Sequence, residues 1–473
     1  MGNEQAKTNV VVVGAGPGGY AAAFMAADLG LEVTVVDPEE NPGGVCLYRG
    51  CIPTKALLHA CKTKKDALGA GQFGMRFGEP ELDLDTLRGW KDEVVGKLTG
   101  GLGQLVKQRK IRHIRGRARF ADARTLELDT GEGPGRLAFE QAIIATGSEP
   151  VALGGLSFAA PQVLNSAKAL ELERIPDSLL VIGGGYIGLE LGTVYAELGS
   201  RVSIVEMMPG LMPGADRDLM ATYTKAIKGQ FEAVYTSTKA RIELHEEGVE
   251  AHFEGEGAPG ESKRYGAVLV TVGRRPYTDG LGLEKTKVER DEKGYVRTDA
   301  RCRTAEESIY AIGDVTGPPL LAHKASHEGR VAAEVIAGKK SVFEPKAIPA
   351  VEYTDPEVAW CGLTETEAKE RGRDVRVVKF PWAASGRAMT LAKPAGLTKL
   401  IVDPQNDRIL GAGIVGTDAG ELICEAALAV EMAATATDLA LTIHPHPTLG
   451  ETIMEAAEMV SGTSTHVYRP KRR

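Results

Sequence analysis

One pattern occurs twice in this chain of 473 residues, and it limits the fold more than any other. A continuous apolar run, Val10-Val11-Val12-Val13, leads into Gly14-Ala15-Gly16-Pro17-Gly18-Gly19. An alanine-rich helical stretch follows from Tyr20 to Leu29, closed by Gly30, and a strand from Glu32 to Val36 ends on Asp37. The same order returns as Leu179 to Ile182, then Gly183-Gly184-Gly185-Tyr186-Ile187-Gly188, a helix from Leu189 to Leu198, and Arg201 to Val205 ending on Glu206. First glycine and acid stand 23 positions apart in both copies. An apolar run of this kind suits a strand buried on both faces of a parallel sheet. Gly14, Gly16 and Gly19, like Gly183, Gly185 and Gly188, allow a tight turn and close approach of the backbone to a pyrophosphate. The helix N-terminus then faces the phosphates, and the acid accepts ribose hydroxyls. Two copies imply two dinucleotide sites serving a shared reaction. Glu206 suits a free ribose 2′-hydroxyl and repels a 2′-phosphate. No basic residue stands at Met207 or Met208, so the second site should prefer NAD to NADP.

A second stretch carries reactive chemistry: Gly43-Gly44-Val45-Cys46-Leu47-Tyr48-Arg49-Gly50-Cys51-Ile52-Pro53-Thr54-Lys55. Ile-Pro opens an apolar helical pattern, and proline is tolerated in a first helical turn. Cys51 should therefore sit at a helix N-terminus, where partial positive charge favours the thiolate. A low-pKa thiol near a second cysteine suits a disulfide that opens and closes during turnover. Three other readings stand beside this one: a structural disulfide, a zinc site with Cys61 and His59, and two unrelated buried cysteines.

Composition sets the outer limits. The length fits about three domains. Apolar residues make up 43% and charged residues 25%, so the chain can bury a sizeable core. The net charge of −8 gives no electrostatic case for nucleic acid or an anionic membrane. No apolar run reaches the length of a membrane span. The polar lead from Gly2 to Asn9 does not read as a signal peptide. Six cysteines without dense spacing fit a reducing compartment, so the expected location is the cytoplasm. The basic end, Arg469 to Arg473, reads as a solvated tail.

Between and after the two units, Leu68 to Gln108 reads as mostly helical, and Arg119 to Phe139 as an antiparallel excursion turning at Gly131 to Gly135. Strands Ala142 to Ala145 and Ala267 to Val272 end at Thr146-Gly147 and Gly273-Arg274. Strand Ser308 to Ile312 ends at Gly313-Asp314, which puts a carboxylate where open α/β sheets bind ligands, unless Asp314 only caps the next helix. Thr364 and Glu367 form a capping box, and a hairpin links Lys399–Val402 to Ile409–Val415. An apolar helix runs from Gly420 to Ala434. Then comes Ile443-His444-Pro445-His446-Pro447-Thr448-Leu449-Gly450-Glu451. Thr448 and Glu451 can start the final helix as a capping box, or Glu451 can hold one nitrogen of His446 so that the other faces a substrate thiol as a base. Its two oxygens allow both.

Taken together, the glycine fingerprints, the Cys46–Lys55 stretch, Tyr310-Ala-Ile-Gly-Asp314, Leu321-Ala-His-Lys and His446-Pro-Thr-Leu-Gly-Glu451 resemble the flavin-dependent pyridine nucleotide–disulfide oxidoreductases. The resemblance runs from Val10 to about Gly462, and is nearest the bacterial branch that oxidises dihydrolipoamide in 2-oxo acid dehydrogenase complexes. It implies an α/β chain with two Rossmann-like domains and a C-terminal α+β dimerisation domain. The implied division is 1–150 for FAD and the redox disulfide, 151–280 for NAD, 281–348 completing the FAD domain, and 349–473 at the dimer interface.

Residue by residue, the resemblance implies a Cys46–Cys51 disulfide, with Cys46 exchanging with dihydrolipoamide and Cys51 lying against the flavin. Lys55 and Glu190 would pair beside the flavin's reactive edge. FAD would contact Gly14, Gly16, Gly19, Asp37, Gly44, Val45, Lys55, Gly147 and Asp314, and the backbone of Ala118 and Ala322. NAD would contact Gly183, Gly185, Gly188, Glu206, Lys239 and Gly273. His446, oriented by Glu451, would act on the partner's Cys46 in a homodimer. Expected partners are the lipoyl domain and subunit-binding segment of dihydrolipoyl acyltransferase subunits, and glycine cleavage is a further setting for the activity.

Several positions depart from the family pattern. Asp37 replaces the usual Glu, Tyr48-Arg49 a smaller pair, Thr54 a Ser, and Lys239 an apolar residue near the NAD adenine. Gly450 precedes Glu451. Arg49 either raises thiolate character nearby or is a solvated loop charge. Three rival functions remain in view: an NADPH-driven disulfide or mercuric reductase, a flavin transhydrogenase, and a subunit that mainly docks on an acyltransferase core. Glu206 opposes the first, and the paired cysteines go unexplained by the second.

Overall fold

The computed structural model describes residues 6–131 and 133–468. The Arg469–Arg473 tail and the first part of the polar lead lie outside these. The first βαβ unit forms as its pattern requires. Strand Ala6–Val13 lies between the parallel strands Val33–Asp37 and Gly133–Ile144, and the helix Pro17–Asp28 joins the first pair. Arg112–Asp122 extends the sheet beyond Val33–Asp37, and Thr125–Thr130 turns antiparallel between Arg112–Asp122 and Gly133–Ile144. Ile309–Ala311 returns, after about 160 intervening residues, to pair in parallel with Gly133–Ile144.

The second unit builds its own parallel sheet. Its order is Ala233–Tyr235, Arg201–Val205, Ser178–Ile182, Ala267–Val270 and Val163–Leu164, and the antiparallel meander Thr238–His245, Gly248–Gly255 and Lys263–Tyr265 stands beside it. A third unit has five antiparallel strands, ordered Ala350–Glu352, Glu357–Gly362, Ile409–Gly416, Leu397–Val402 and Arg376–Pro381. Helices Ala419–Glu431 and Glu451–Ser461 cover it, with Trp382, Ile414 and Ile453 fully buried. Its other face, through Val358 and Val415, joins the core of the second unit around Tyr223 and Leu189. A short antiparallel pair, Ser148–Pro150 with Arg274–Pro276, ties the outgoing and returning chain between the first two units.

Two local readings need correction, and a third, the mostly helical stretch from Leu68 to Gln108, holds with one break. The strand expected from Val10 begins at Ala6, because Ala6–Thr8 pair with Leu137–Phe139 although Lys7 and Thr8 are polar. The stretch from Leu68 to Gln108 is interrupted: the 3₁₀ turn Ala70–Phe73 ends on Gly74 at φ +82°, and no helix resumes until Leu84–Gln108. Gly74, Gly78 and Pro80 remove the helical preference there. Thr448 does not complete its capping box. Its hydroxyl donates to the Pro445 carbonyl at 2.8 Å, and only the Glu451 half forms, accepting the Thr448 N–H at 2.7 Å. The box at Thr364 and Glu367 is complete.

Candidate active site

The two fingerprints share one construction. Gly14 and Gly183 sit at φ +100° and +111°, where a side chain would also run into the carbonyl oxygens of Ala145 and Thr271, 2.4 Å away in each case. The acids converge in the same way. Asp37 accepts the Ala15 N–H at 2.7 Å and the Glu39 N–H at 2.9 Å; Glu206 accepts those of Gly184 and Met208, each at 2.7 Å. Each carboxylate oxygen keeps a lone pair for a ribose hydroxyl. Burial pushes the Asp37 carboxyl up, against these backbone hydrogen bonds.

A cavity of about 680 Å³ opens at the first fingerprint, within the range of cofactor pockets. Its wall includes Gly14, Gly16, Asp37, Gly44, Val45, Ala118, Gly147, Asp314 and Ala322, together with Cys46, Cys51, Lys55 and Glu190. Helices Pro17–Asp28 and Ala322–Ile336 start at this wall with no side-chain cap, so their first N–H groups are open to an anion. Gly44 touches the fingerprint directly: a Cβ there would lie 2.5 Å from the Gly16 Cα. Gly19 lies behind the wall, packed under Gly14. The donors, the acid and the volume fit FAD.

The cysteines stand at one end of this cavity. A short helix, Gly44–Arg49, carries Cys46, and Cys51 is the first residue of the helix Cys51–Gly69. Both thiols are free. The two thiols act on one another, so that Cys46 is held up and Cys51 drawn down to about 7; Lys55 adds to that lowering, while burial and Glu190 oppose it. Lys55 Nζ lies 2.8 and 2.7 Å from the two oxygens of Glu190, which is buried on the helix Tyr186–Glu197. Burial disfavours the Lys55 charge, but Glu190 outweighs it and the net direction is upward. Cys61 lies elsewhere, fully packed, with burial pushing its thiol to about 12. Among the described residues the single cluster with metal-ligand spacing is Asp216, Asp218 and Glu365, and the buried Lys399 ammonium bonds all three. Cys46 and Cys51 form no such cluster with Cys61 or His59 among the described residues. Arg49 turns from the thiols to pair with Glu39, and the Tyr48 hydroxyl donates to the Asn41 carbonyl at 3.0 Å.

Three contributors were not visible in the sequence. Tyr353 donates its N–H to Glu190 at 3.0 Å and lays its ring 4.6 Å from the Lys55 ammonium. Glu352 beside it is 5% exposed, with Oε2 unpaired; burial, reinforced by the Glu190 charge, pushes its carboxyl well above the usual range. The Ser148 hydroxyl donates to Asp314 at 2.5 Å.

The second fingerprint adjoins this cavity through Tyr186 and Ile187, while its glycines lie outside the wall. Glu206 is buried behind Gly184, Thr238 donates its N–H to the Glu206 carbonyl at 3.0 Å, and Lys239 follows on the exposed edge. Gly273 lies exposed where the chain leaves the second sheet, at φ +129°.

His446 is not brought to the cysteines within one chain. Its Nδ1 lies 2.8 Å from Glu451, and its side chain is 74% exposed. Leu441 and Ile443, just before it in the chain, are exposed, as are Leu428 and Met432 at the end of the helix Ala419–Glu431. His444, two residues earlier, bonds the Thr442 carbonyl and Glu425, each at 2.8 Å, and pins the segment. Gly450 has an ordinary helical conformation, and a Cβ there would meet only van der Waals contacts.

Residues 8–329 match the model of the pyridine nucleotide-disulphide oxidoreductases, and residues 348–457 the dimerisation domain of the same group. This chain belongs to the pyridine nucleotide–disulphide oxidoreductases. It is thus an oxidoreductase of a family that uses FAD and NAD, and the dimerisation domain makes it a homodimer. The dihydrolipoyl dehydrogenase of Vibrio cholerae is 47% identical over 469 residues, covering 99% of each chain. That of Thermus scotoductus is 50% identical over 462 residues, 97% of this chain and 98% of the relative. Among solved structures, the HOCl-induced flavoprotein disulfide reductase RclA of Escherichia coli superposes with a TM-score of 0.86 at 28% identity, covering 96% of this chain and all of the other. LpdA of Mycobacterium tuberculosis superposes at 0.88 with 25% identity, covering 96% and 99%. No helix among the described residues is long and apolar enough to cross a membrane.

Proposed function

We propose that this oxidoreductase carries dihydrolipoyl dehydrogenase activity: it oxidises protein-bound dihydrolipoyl groups and reduces NAD⁺. The observation that carries the reading is a pair of free cysteines at the wall of a dinucleotide cavity, beside Lys55–Glu190. One substrate thiolate attacks Cys46 of the disulfide form, and Cys51 leaves as a thiolate held by Lys55 and its helix N-terminus. The second substrate thiolate attacks the mixed disulfide, closes the lipoyl ring and frees Cys46. FAD held at this wall would supply the two-electron chemistry that links the Cys46–Cys51 dithiol to NAD⁺. His446 of the second copy takes the substrate proton through Nε2 while Glu451 holds Nδ1.

The remaining residues position the cofactors. Gly14, Gly16, Asp37, Gly44, Val45, Ala118, Gly147, Asp314 and Ala322 would hold FAD, with Gly19 supporting the turn from behind, and Gly183, Gly185, Gly188, Glu206, Lys239 and Gly273 would hold NAD. We divide the chain as 1–150 and 281–348 for FAD, 151–280 for NAD, and 349–473 for dimerisation. The cytoplasmic setting is that of the 2-oxo acid dehydrogenase complexes for pyruvate and 2-oxoglutarate, with glycine cleavage as a further one. An acidic chain of net charge −8 suits a basic docking segment on the acyltransferase subunit.

The test is Cys46→Ser. It should retain bound flavin and lose turnover of dihydrolipoamide; turnover at the wild-type level would overturn the proposal.

A further inference from the structure

Two arginines follow Gly273, and they do different things. Arg275 points outward and pairs with Glu149 at 2.5 Å and Asp279 at 3.5 Å. Arg274 points inward, as alternation along a strand requires. Its Nε lies 2.7 Å from the Ser148 hydroxyl, and its Nη2 lies 2.6 Å from the Ser148 carbonyl. Ser148 is 6% exposed. A guanidinium only donates, so the Ser148 oxygen accepts from Nε, and its single proton is committed to Asp314 Oδ2, 2.5 Å away. The direction of both bonds is thereby set. Arg274 stands on Arg274–Pro276, the strand by which the chain leaves the second sheet, and Ser148 on the strand by which it leaves the first.

We propose that Arg274 is a positioning residue for the flavin site: through the Ser148 hydroxyl it fixes the side chain of Asp314 at the cavity wall, and ties that carboxylate to the backbone that follows the nicotinamide-nucleotide sheet. The inference rests on the reading that Asp314 contacts the flavin's ribityl chain. Lysine cannot take this place, because only the planar fork reaches a hydroxyl and a carbonyl of one residue together. The Ser148 hydroxyl carries the effect, so the two side chains act as one unit.

The experiment follows flavin release from dilute holoenzyme by the rise of free-flavin fluorescence. Arg274→Gln and Ser148→Ala should each speed release about tenfold, because each breaks the hydroxyl-mediated hold on Asp314. The double variant should release no faster than the faster single, because one relay is broken in either case. Arg274→Lys, which keeps the charge and conserves the fold, should fall between wild type and Arg274→Gln. Arg275→Gln should match wild type. Two results would overturn the inference alone: Asp314→Asn releases flavin quickly while Arg274→Gln and Arg274→Lys do not, or the double variant shows the product of the two single effects. Wild-type release by Asp314→Asn would instead remove the ribityl reading, and the relay with it.

Discussion

Nδ1 of His446 lies 2.8 Å from Oε1 of Glu451, while Oε2 of the same carboxylate accepts the Thr448 N–H at 2.7 Å. The bond to Glu451 leaves Nε2 as the free nitrogen, yet the ring stands exposed and away from its own chain's cysteines. His446→Gln should lower dihydrolipoamide turnover by about 10²–10⁴ with flavin content unchanged. Glu451→Gln should cost roughly 10² through loss of ring orientation. A heterodimer of one Cys46→Ser and one His446→Gln subunit contains one intact composite site. Its turnover should be about half of wild type, whereas the Cys46→Ser homodimer is inactive and the His446→Gln homodimer keeps only its residual turnover. Steady-state assay of the purified heterodimer decides this.

Lys55 balances a carboxylate that is 3% exposed. Lys55→Met leaves Glu190 charged and buried, and should cost about 3–5 kcal/mol of stability. It should also move the thiol titration. With Cys51 drawn to about 7, its alkylation by iodoacetamide in the reduced enzyme should rise with pH through that value, as thiolate forms. In Lys55→Met the midpoint should move upward, and rates measured from pH 5 to 10 would show it.

Glu206 already satisfies two backbone N–H groups and remains an acceptor for ribose. A 2′-phosphate in its place brings negative charge against the carboxylate, with repulsion on the order of 4 kcal/mol near a protein surface. NADPH should therefore be roughly 10²–10³-fold poorer than NADH as judged by kcat/KM. Glu206→Gln should narrow the gap.

Glu352 faces the same side of its sheet as its cross-strand neighbour Val358, which is fully buried against the second unit. An acid whose folded value is raised takes up a proton on folding. The protein then loses stability as pH rises from the ordinary value of 4.5 toward the folded value, and no further beyond it. Glu352→Val should remove that slope and add about 1–3 kcal/mol at alkaline pH, by relieving an unpaired buried oxygen. Denaturation temperature against pH, for both proteins, checks the sign.

Local patterns announced the elements that local physics builds. The paired fingerprints, the strands ending on Asp37 and Glu206, the start of a helix at Cys51 and the capping box at Thr364 depend on neighbours within a few residues. What stayed hidden depends on chain folding back. Nothing near Tyr353 says that its N–H will meet Glu190, and nothing near Lys399 says that three carboxylates from two other segments will surround it in the interior. Arg274 and Arg275 look alike in sequence and part only when strand pairing turns one inward. Departures from pattern also mislead: Arg49 beside the cysteines spends its charge on Glu39.

The most direct test of the account is an anaerobic titration of the purified holoenzyme with dihydrolipoamide, recorded by visible absorbance before and after NAD⁺ is added. The expected result is a yellow protein that takes up two electrons per subunit, develops long-wavelength absorbance as the Cys51 thiolate forms, and then yields NADH. A yellow protein unchanged by dihydrolipoamide, yet reduced readily by NADPH, would contradict it.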